Sequence, residues 1–157
     1  MKKIKIVCVG DLKEDYLKKA QTEYIKRLHS ALDVEIIEVP EYTVINHNSQ
    51  AEIEIKKQKE GKAILNKISG YSIAMCINAK QYTSVDFASN LDAKFKDNST
   101  VTFIIGGSDG LSSEVEQNCN QKISFSSLTF PHQLMRIILL EQIYRSYTIW
   151  SGKTYHK

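Results

Sequence analysis

The sequence predicts an α/β domain built on a mostly parallel sheet with helices on both faces. Three observations carry this. Strand-like and helical segments alternate five times along the 157 residues, the pattern of strands joined by crossover helices. From Val101 to Ile105 every position is apolar or β-branched, and such a run suits a strand buried on both faces, as in a parallel sheet. No internal repeat, low-complexity tract or interdomain linker interrupts the chain, so a single domain over residues 1–157 with a sizeable core is expected.

The elements follow in order. Lys3 to Val9 is a short run rich in β-branched residues and reads as the first strand. Glu14 to Leu32 shows helical spacing at Leu17, Ala20, Tyr24, Leu28 and Leu32. Val34 to Val39 is a second strand closed by Pro40, and Glu41 to Ser49 is polar without a period, hence a loop. Ala51 to Ile68 reads as a charged helix with Ile53, Ile64, Leu65 and Ile68 inward, weakened locally by Gly61. Ser72 to Ile77 is the third strand. A capping-box-like start at Thr83–Asp86 opens a helix through Phe95, with Phe87, Ala88, Leu91 and Phe95 inward. Thr100 to Ile105 is the fourth strand, and a short helix begins near Ser112 or Ser113, where Ser113 and Glu116 have capping-box spacing. Lys122 to Ser126 is the fifth strand. Pro131 fits the first turn of a last helix that runs to about Trp150.

That last helix is apolar around nearly its whole circumference, through Leu134, Met135, Ile137, Ile138, Leu139, Leu140 and Ile143. One face can pack on the sheet, and a second apolar face needs another cover. A homodimer through this helix is therefore expected, with burial inside the single chain as the alternative.

Composition narrows the function classes. Hydrophobic residues make up 42% and charged residues 25%, and the formal net charge is +3. That charge is compatible with nucleic acid without arguing for it. No apolar run approaches the roughly 20 residues needed to span a bilayer, so no membrane association is expected. MKKIKIVCVG resembles a short signal peptide only superficially, because its apolar stretch is short, alternates with lysine and lacks a cleavage site. Cys8, Cys76 and Cys119 are odd in number and form no CxxC. They read as reduced thiols of a cytoplasmic protein. His29, His47, His132 and His156 are scattered without ligand spacing, so no metal site is expected.

Two loops stand out at the carboxyl ends of strands, where open parallel sheets bind ligands. The first is Gly106-Gly107-Ser108-Asp109-Gly110 after the fourth strand. It lacks the G-x-G-x-x-G spacing of a dinucleotide loop and the Gly-Lys-Ser/Thr of a P-loop, and Asp109 would repel a phosphate. Close backbone approach to an uncharged group is favoured over a pyrophosphate, with a plain tight turn as the alternative. The second is Phe125-Ser126-Ser127-Leu128-Thr129-Phe130-Pro131-His132. Its backbone groups could read an adenine edge while Leu128 and the phenylalanines cover a ring. Thr129 could equally cap the helix. His132 and Arg136 lie four apart on one helix face, as do Glu141 and Arg145. By composition the end of the chain, Gly152 to Lys157, is a frayed tail. It nonetheless offers a ring, an imidazole and two cations, groups suited to an unstacked RNA base and its phosphates.

Taken together, these residues resemble one known family from end to end, the RlmH family of bacterial 23S rRNA pseudouridine N3-methyltransferases in the SPOUT superfamily. The resemblance rests on Val7-Cys8-Val9-Gly10 with Leu12-Lys13, on Phe103-Ile104-Ile105-Gly106-Gly107 with Asp109-Gly110-Leu111, and on Ser124-Phe125-Ser126. It continues through Thr129-Phe130-Pro131-His132, Arg136, Glu141-Gln142, Tyr144-Arg145 and Tyr155-His156-Lys157. It implies a trefoil knot near the C-terminus, an exception to the usual rule of chain topology. It also implies S-adenosylmethionine bound by Met75, Gly106 and Phe125 through Phe130, that is Phe125, Ser126, Ser127, Leu128, Thr129 and Phe130. The family usually has a leucine-like residue where this chain has Met75, and an apolar wall is kept.

The resemblance further implies a homodimer whose second copy brings its tail to the target, a pseudouridine of 23S rRNA in the assembled ribosome. Tyr155 and His156 would orient the base, with His156 or a water assisting proton removal. Arg136, Arg145, Lys153 and Lys157 would contact RNA. Relatives often carry arginine after the Tyr-His pair. Lys157 keeps the charge and loses planar bidentate contact. Two other functions stay open from the residues alone. One is a non-catalytic flavodoxin-like module that docks a nucleotide or protein on the Gly-rich loop. The other is a SPOUT methyltransferase acting on tRNA, which the lack of an added RNA-binding domain weighs against.

Overall fold

The computed structural model describes residues 1–157. Its ten elements are β1 (Lys2–Val9), α1 (Asp15–Leu28), β2 (Leu32–Val39), α2 (Gln50–Leu65), β3 (Tyr71–Gln81), α3 (Ser84–Asp97), β4 (Thr100–Ile105), α4 (Ser113–Asn118), β5 (Gln121–Ser124) and α5 (His132–Trp150). Every strand pairing is parallel and the sheet order is β2-β1-β4-β3-β5. The alternation of strand and helix and the parallel sheet are as the sequence predicts.

Both faces are covered. Ile4, Ile6, Val101, Phe103 and Ile105 share one core with Leu28 of α1, Phe87 and Leu91 of α3, and Leu139, Leu140 and Ile143 of α5. Val7, Val9 and Ile104 point the other way and pack with Ile64 of α2 and Val115 of α4. The period-2 alternation along β1 and β4 thus feeds two cores, which is why these strands read as continuous apolar runs. No helix is long and apolar enough to cross a membrane.

Tertiary pairing moves several boundaries. Leu32 opens β2 opposite Lys2 instead of closing α1. It is 2% exposed because a strand buries it, and its helical spacing from Leu28 is coincidental. Helix α2 stops at Leu65, and its inner face includes Lys56 and Glu60 beside Ile64. Strand β3 continues to Gln81 through a bulge, with Met75 and Lys80 both opposite Ile123. The looped-out residues 76–79 swing toward the strand ends. Ser112, not Ser113, caps α4: its Oγ accepts from the Val115 N–H at 3.3 Å. Thr129 is not a cap, since Pro131 takes that position.

Gly61 has a use beyond weakening its helix. A Cβ there would lie 2.6 Å from Ser112 Oγ, so glycine lets α2 approach the α4 cap. On α5, Ile137, Leu139, Leu140 and Ile143 are buried within the chain, together with Arg136, Ser146 and Thr148. Much of the second apolar face is therefore covered by α1 and α3, and Leu134 remains 38% exposed. The last three strands are out of sequence order, with β4 inside β3 and β5 outside it. The connection from β4 to β5 therefore passes β3, which is compatible with the trefoil knot that the resemblance implies.

Candidate functional site

The bulge within β3 and the segments after β4 and β5 meet in a cleft of about 620 Å³. This is the size of ordinary small-molecule sites. Met75 forms part of its wall, with the bulge residues Cys76, Ile77 and Asn78 beside it. The turn Gly106–Gly110 forms a second wall, and Phe125, Ser126, Leu128, Thr129 and Phe130 form a third. Ser127 does not line the cleft; its Oγ accepts from Gln81 Nε2 at 3.2 Å on the outer side.

The turn after β4 is built for close approach to itself. A Cβ on Gly106 would stand 2.7 Å from the Gly110 carbonyl carbon. The Gly110 N–H donates to the Gly107 carbonyl at 3.0 Å, and Gly110 has φ +82°. The space beside Gly106 Cα is filled by the loop's own backbone, so its glycine is needed for the turn as well as for any ligand. Asp109 does not offer its charge freely to the cleft. Its Oδ2 accepts from Lys56 Nζ at 2.9 Å, and this contact holds the carboxyl below its ordinary range. The unneutralised carboxylate on the wall is Glu116, whose Oε1 accepts from the Cys76 thiol at 3.2 Å. Burial first, and Glu116 next, push that thiol up to about 12.

The loop after β5 is held at its base and free at its edge. Ser124 Oγ donates to the Ser126 carbonyl at 3.0 Å, and the Leu128 N–H donates to Ser126 Oγ at 3.0 Å. Phe125 packs edge-on to Phe87 with centroids 5.6 Å apart. The N–H groups of Ser126, Ser127, Thr129 and Phe130 donate to no backbone acceptor. A row of unspent backbone groups beside apolar side chains is what a planar heterocycle needs for edge recognition. Apolar walls, free backbone groups and a carboxylate suit a ligand that combines a flat ring with a cationic group. The chemistry of S-adenosylmethionine fits this set.

Arg136 requires a correction. Expected at an RNA surface, it is 1% exposed. Its guanidinium donates to Glu38 Oε2 at 2.7 Å and to the Gly10 carbonyl at 3.1 Å. It ties α5 to the ends of β1 and β2 and cannot reach a phosphate. His132, in the first turn of α5, lines the cleft.

The tail residues form a separate group at the far end of α5. Tyr155 packs edge-on to Tyr144 at 4.9 Å, and the Arg145 guanidinium lies over its ring at 4.9 Å. Arg145 also pairs with Glu141 and contacts His156 Nδ1 at 3.1 Å. Lys153 lies over the Tyr147 ring at 4.9 Å, and Lys157 is exposed. About 20 Å of helix separates His132 from Arg145, at 1.5 Å per residue. Tyr155 and His156 therefore do not reach the cleft of their own chain. Sequence reasoning missed Lys56, Glu60, Cys76 and Glu116. The one available signal was the spacing of Lys56 and Glu60, which looks like a surface i,i+4 pair.

The geometry agrees with what comparison finds. Residues 1–156 match the family described as "Predicted SPOUT methyltransferase". The chain is 50% identical to the ribosomal RNA large subunit methyltransferase H of Bacillus thuringiensis subsp. konkukian, over 98% of this chain and 99% of the relative. The proteins of the same description from Bacillus cytotoxicus and Bacillus anthracis are 49% identical over the same shares.

Proposed function

The chain belongs to the SPOUT methyltransferase family, and on that premise we propose that it methylates N3 of a pseudouridine in the 23S rRNA of the assembled ribosome. S-adenosylmethionine, when bound, supplies a methyl group on a sulfonium, already electrophilic, so the protein's task is orientation. Relatives named for large-subunit rRNA methylation support the substrate. The observation that carries the donor site is the loop Phe125–Phe130, with its unspent backbone N–H groups beside the Met75 and Gly106 walls.

The target base would come from the side of a second copy. Tyr155 and His156 sit a full helix away from their own cleft, while the other cleft of a homodimer is open to them. Leu128, 69% exposed on the cleft rim, and Leu134, with the half-buried Met135 and Ile138, are among the apolar groups left for a partner through α5. Arg145 has donors only, so His156 Nδ1 accepts and its hydrogen sits on Nε2. His156 in this arrangement donates a hydrogen bond to the base. The N3 proton then passes to a water. Lys153, Lys157 and Arg145 supply cationic charge for the phosphates around the target.

Mass spectrometry of rRNA from cells lacking this protein tests the reading. One methyl should be missing from a single pseudouridine. The purified protein with S-adenosylmethionine should restore it on ribosomes from those cells. Methylation of tRNA instead, or binding of FMN or NAD with no response to S-adenosylmethionine, would favour the other functions.

A further inference from the structure

Helix α2 buries two ionic side chains one turn apart. Lys56 is 5% and Glu60 2% exposed. A lysine so placed is costly unless every donor finds a partner. Its Nζ donates to Asp109 Oδ2 at 2.9 Å and Ser108 Oγ at 3.0 Å, and stands 3.8 Å from Glu41 Oε1. Glu60 Oε2 accepts from the Tyr42 N–H at 3.1 Å. Its other oxygen, without a partner, lies 3.4 Å from where a Cβ on Gly107 would be. Two residues of one helix thus tie the segment after β2 to the turn after β4.

No other side chain donates a hydrogen bond to the turn. Apart from its own Gly110-to-Gly107 bond, the side-chain hydrogen bonds made to residues 107–110 are those of Lys56. The turn is also a wall of the cleft. A pair of apolar residues at 56 and 60 would fill the same space without the desolvation cost. What they could not do is grip a polar turn by two of its side chains.

We propose that Lys56 is a positioning residue for the methyl donor. By holding Ser108 and Asp109 from beneath, it keeps the Gly107–Gly110 wall in the shape that receives the ligand. Lys56 itself touches neither donor nor base. The proposal rests on the reading of this cleft as the donor site.

Titration calorimetry with S-adenosylmethionine, and kinetics on unmethylated ribosomes, test it in the full-length protein. Lys56→Met should raise the donor Kd and KM by about ten-fold or more, the loss expected when a buried charge-assisted contact is removed. The kcat at saturating donor and the KM for ribosomes should stay within about two-fold. A purely structural role would lower kcat and active fraction without that split. Lys56→Arg should recover part of the affinity. Asp109→Asn should weaken the donor alone and add little on top of Lys56→Met, because both remove one contact. Wild-type donor affinity in folded Lys56→Met would overturn the proposal, as would a fall in kcat with donor KM unchanged. If Lys56→Met does not fold, Lys56→Gln decides by the same donor Kd. Should the wild-type protein itself not bind S-adenosylmethionine, both the proposal and the donor-site reading fall.

Discussion

Arg145 Nη1 and His156 Nδ1 are 3.1 Å apart, and this contact folds the end of the chain back onto the helix that precedes it. The same arginine covers the Tyr155 ring and pairs with Glu141. Tyr155 and His156 are thereby presented as a fixed pair at one end of α5, opposite the end that carries the cleft.

Removal of residues after Gly152 should separate the two halves of the site. Donor affinity by calorimetry should stay within about two-fold, while methylation of ribosomes should fall by about a hundred-fold or more as base positioning is lost. Mixing this variant with full-length Gly106→Val should restore activity. Valine at 106 meets the Gly110 carbonyl carbon at 2.7 Å and distorts that wall of the cleft, so only a mixed dimer has one good cleft facing one good tail. No recovery on mixing would sink the two-copy site.

Arg136→Met should destabilise the protein by roughly 2–4 kcal/mol, from lost charge-assisted hydrogen bonds and imperfect filling. The side chain of Glu38 is 42% exposed, so the carboxylate left behind can reach water, and the full penalty of an orphaned buried charge is avoided. Denaturant unfolding measures the loss. Ribosome affinity should not change, in contrast to Lys157→Ala.

Cys76 should be slow to alkylate at neutral pH although it lines the cleft. Burial and Glu116 hold its thiol protonated, with a value of about 12, and the thiolate is the reactive form. Because the folded value is raised, its contribution to stability is complete below the unfolded value near 8.5 and is lost as pH climbs toward about 12. Glu116→Gln removes the negative charge that raises the thiol and offers an amide N–H that can donate to the thiolate, so labelling by iodoacetamide should become faster. An unchanged rate would disprove the coupling.

Gly61→Ala should destabilise despite alanine's advantage of about 1 kcal/mol in a helix. The new methyl meets Ser112 Oγ at 2.6 Å, and that oxygen caps α4. Ser112→Ala alone should cost about 1 kcal/mol as a lost cap. The double variant should be more stable than the sum of the two, since the second change removes the atom that the first one strikes. Thermal unfolding of all four proteins gives the coupling.

What local pattern determines was legible. The bounds of strand β4 are legible to the residue, because its burial on both faces leaves a continuous apolar run. The inward set of α3, Phe87, Ala88, Leu91 and Phe95, is legible because helical period alone selects it. The two loops that line the cleft are legible because their glycines and their Pro131 stop lie at strand ends. The sequence therefore determined the α/β class, the order of elements and the segments that face a cleft. Only the tertiary structure decided the strand order β2-β1-β4-β3-β5 and which charges go inside. Arg136 and Lys56 look like surface cations in any local window. Their partners, Glu38, Gly10 and Asp109, are 53 to 126 residues away, and a buried charge is tolerable only where such distant partners converge on it.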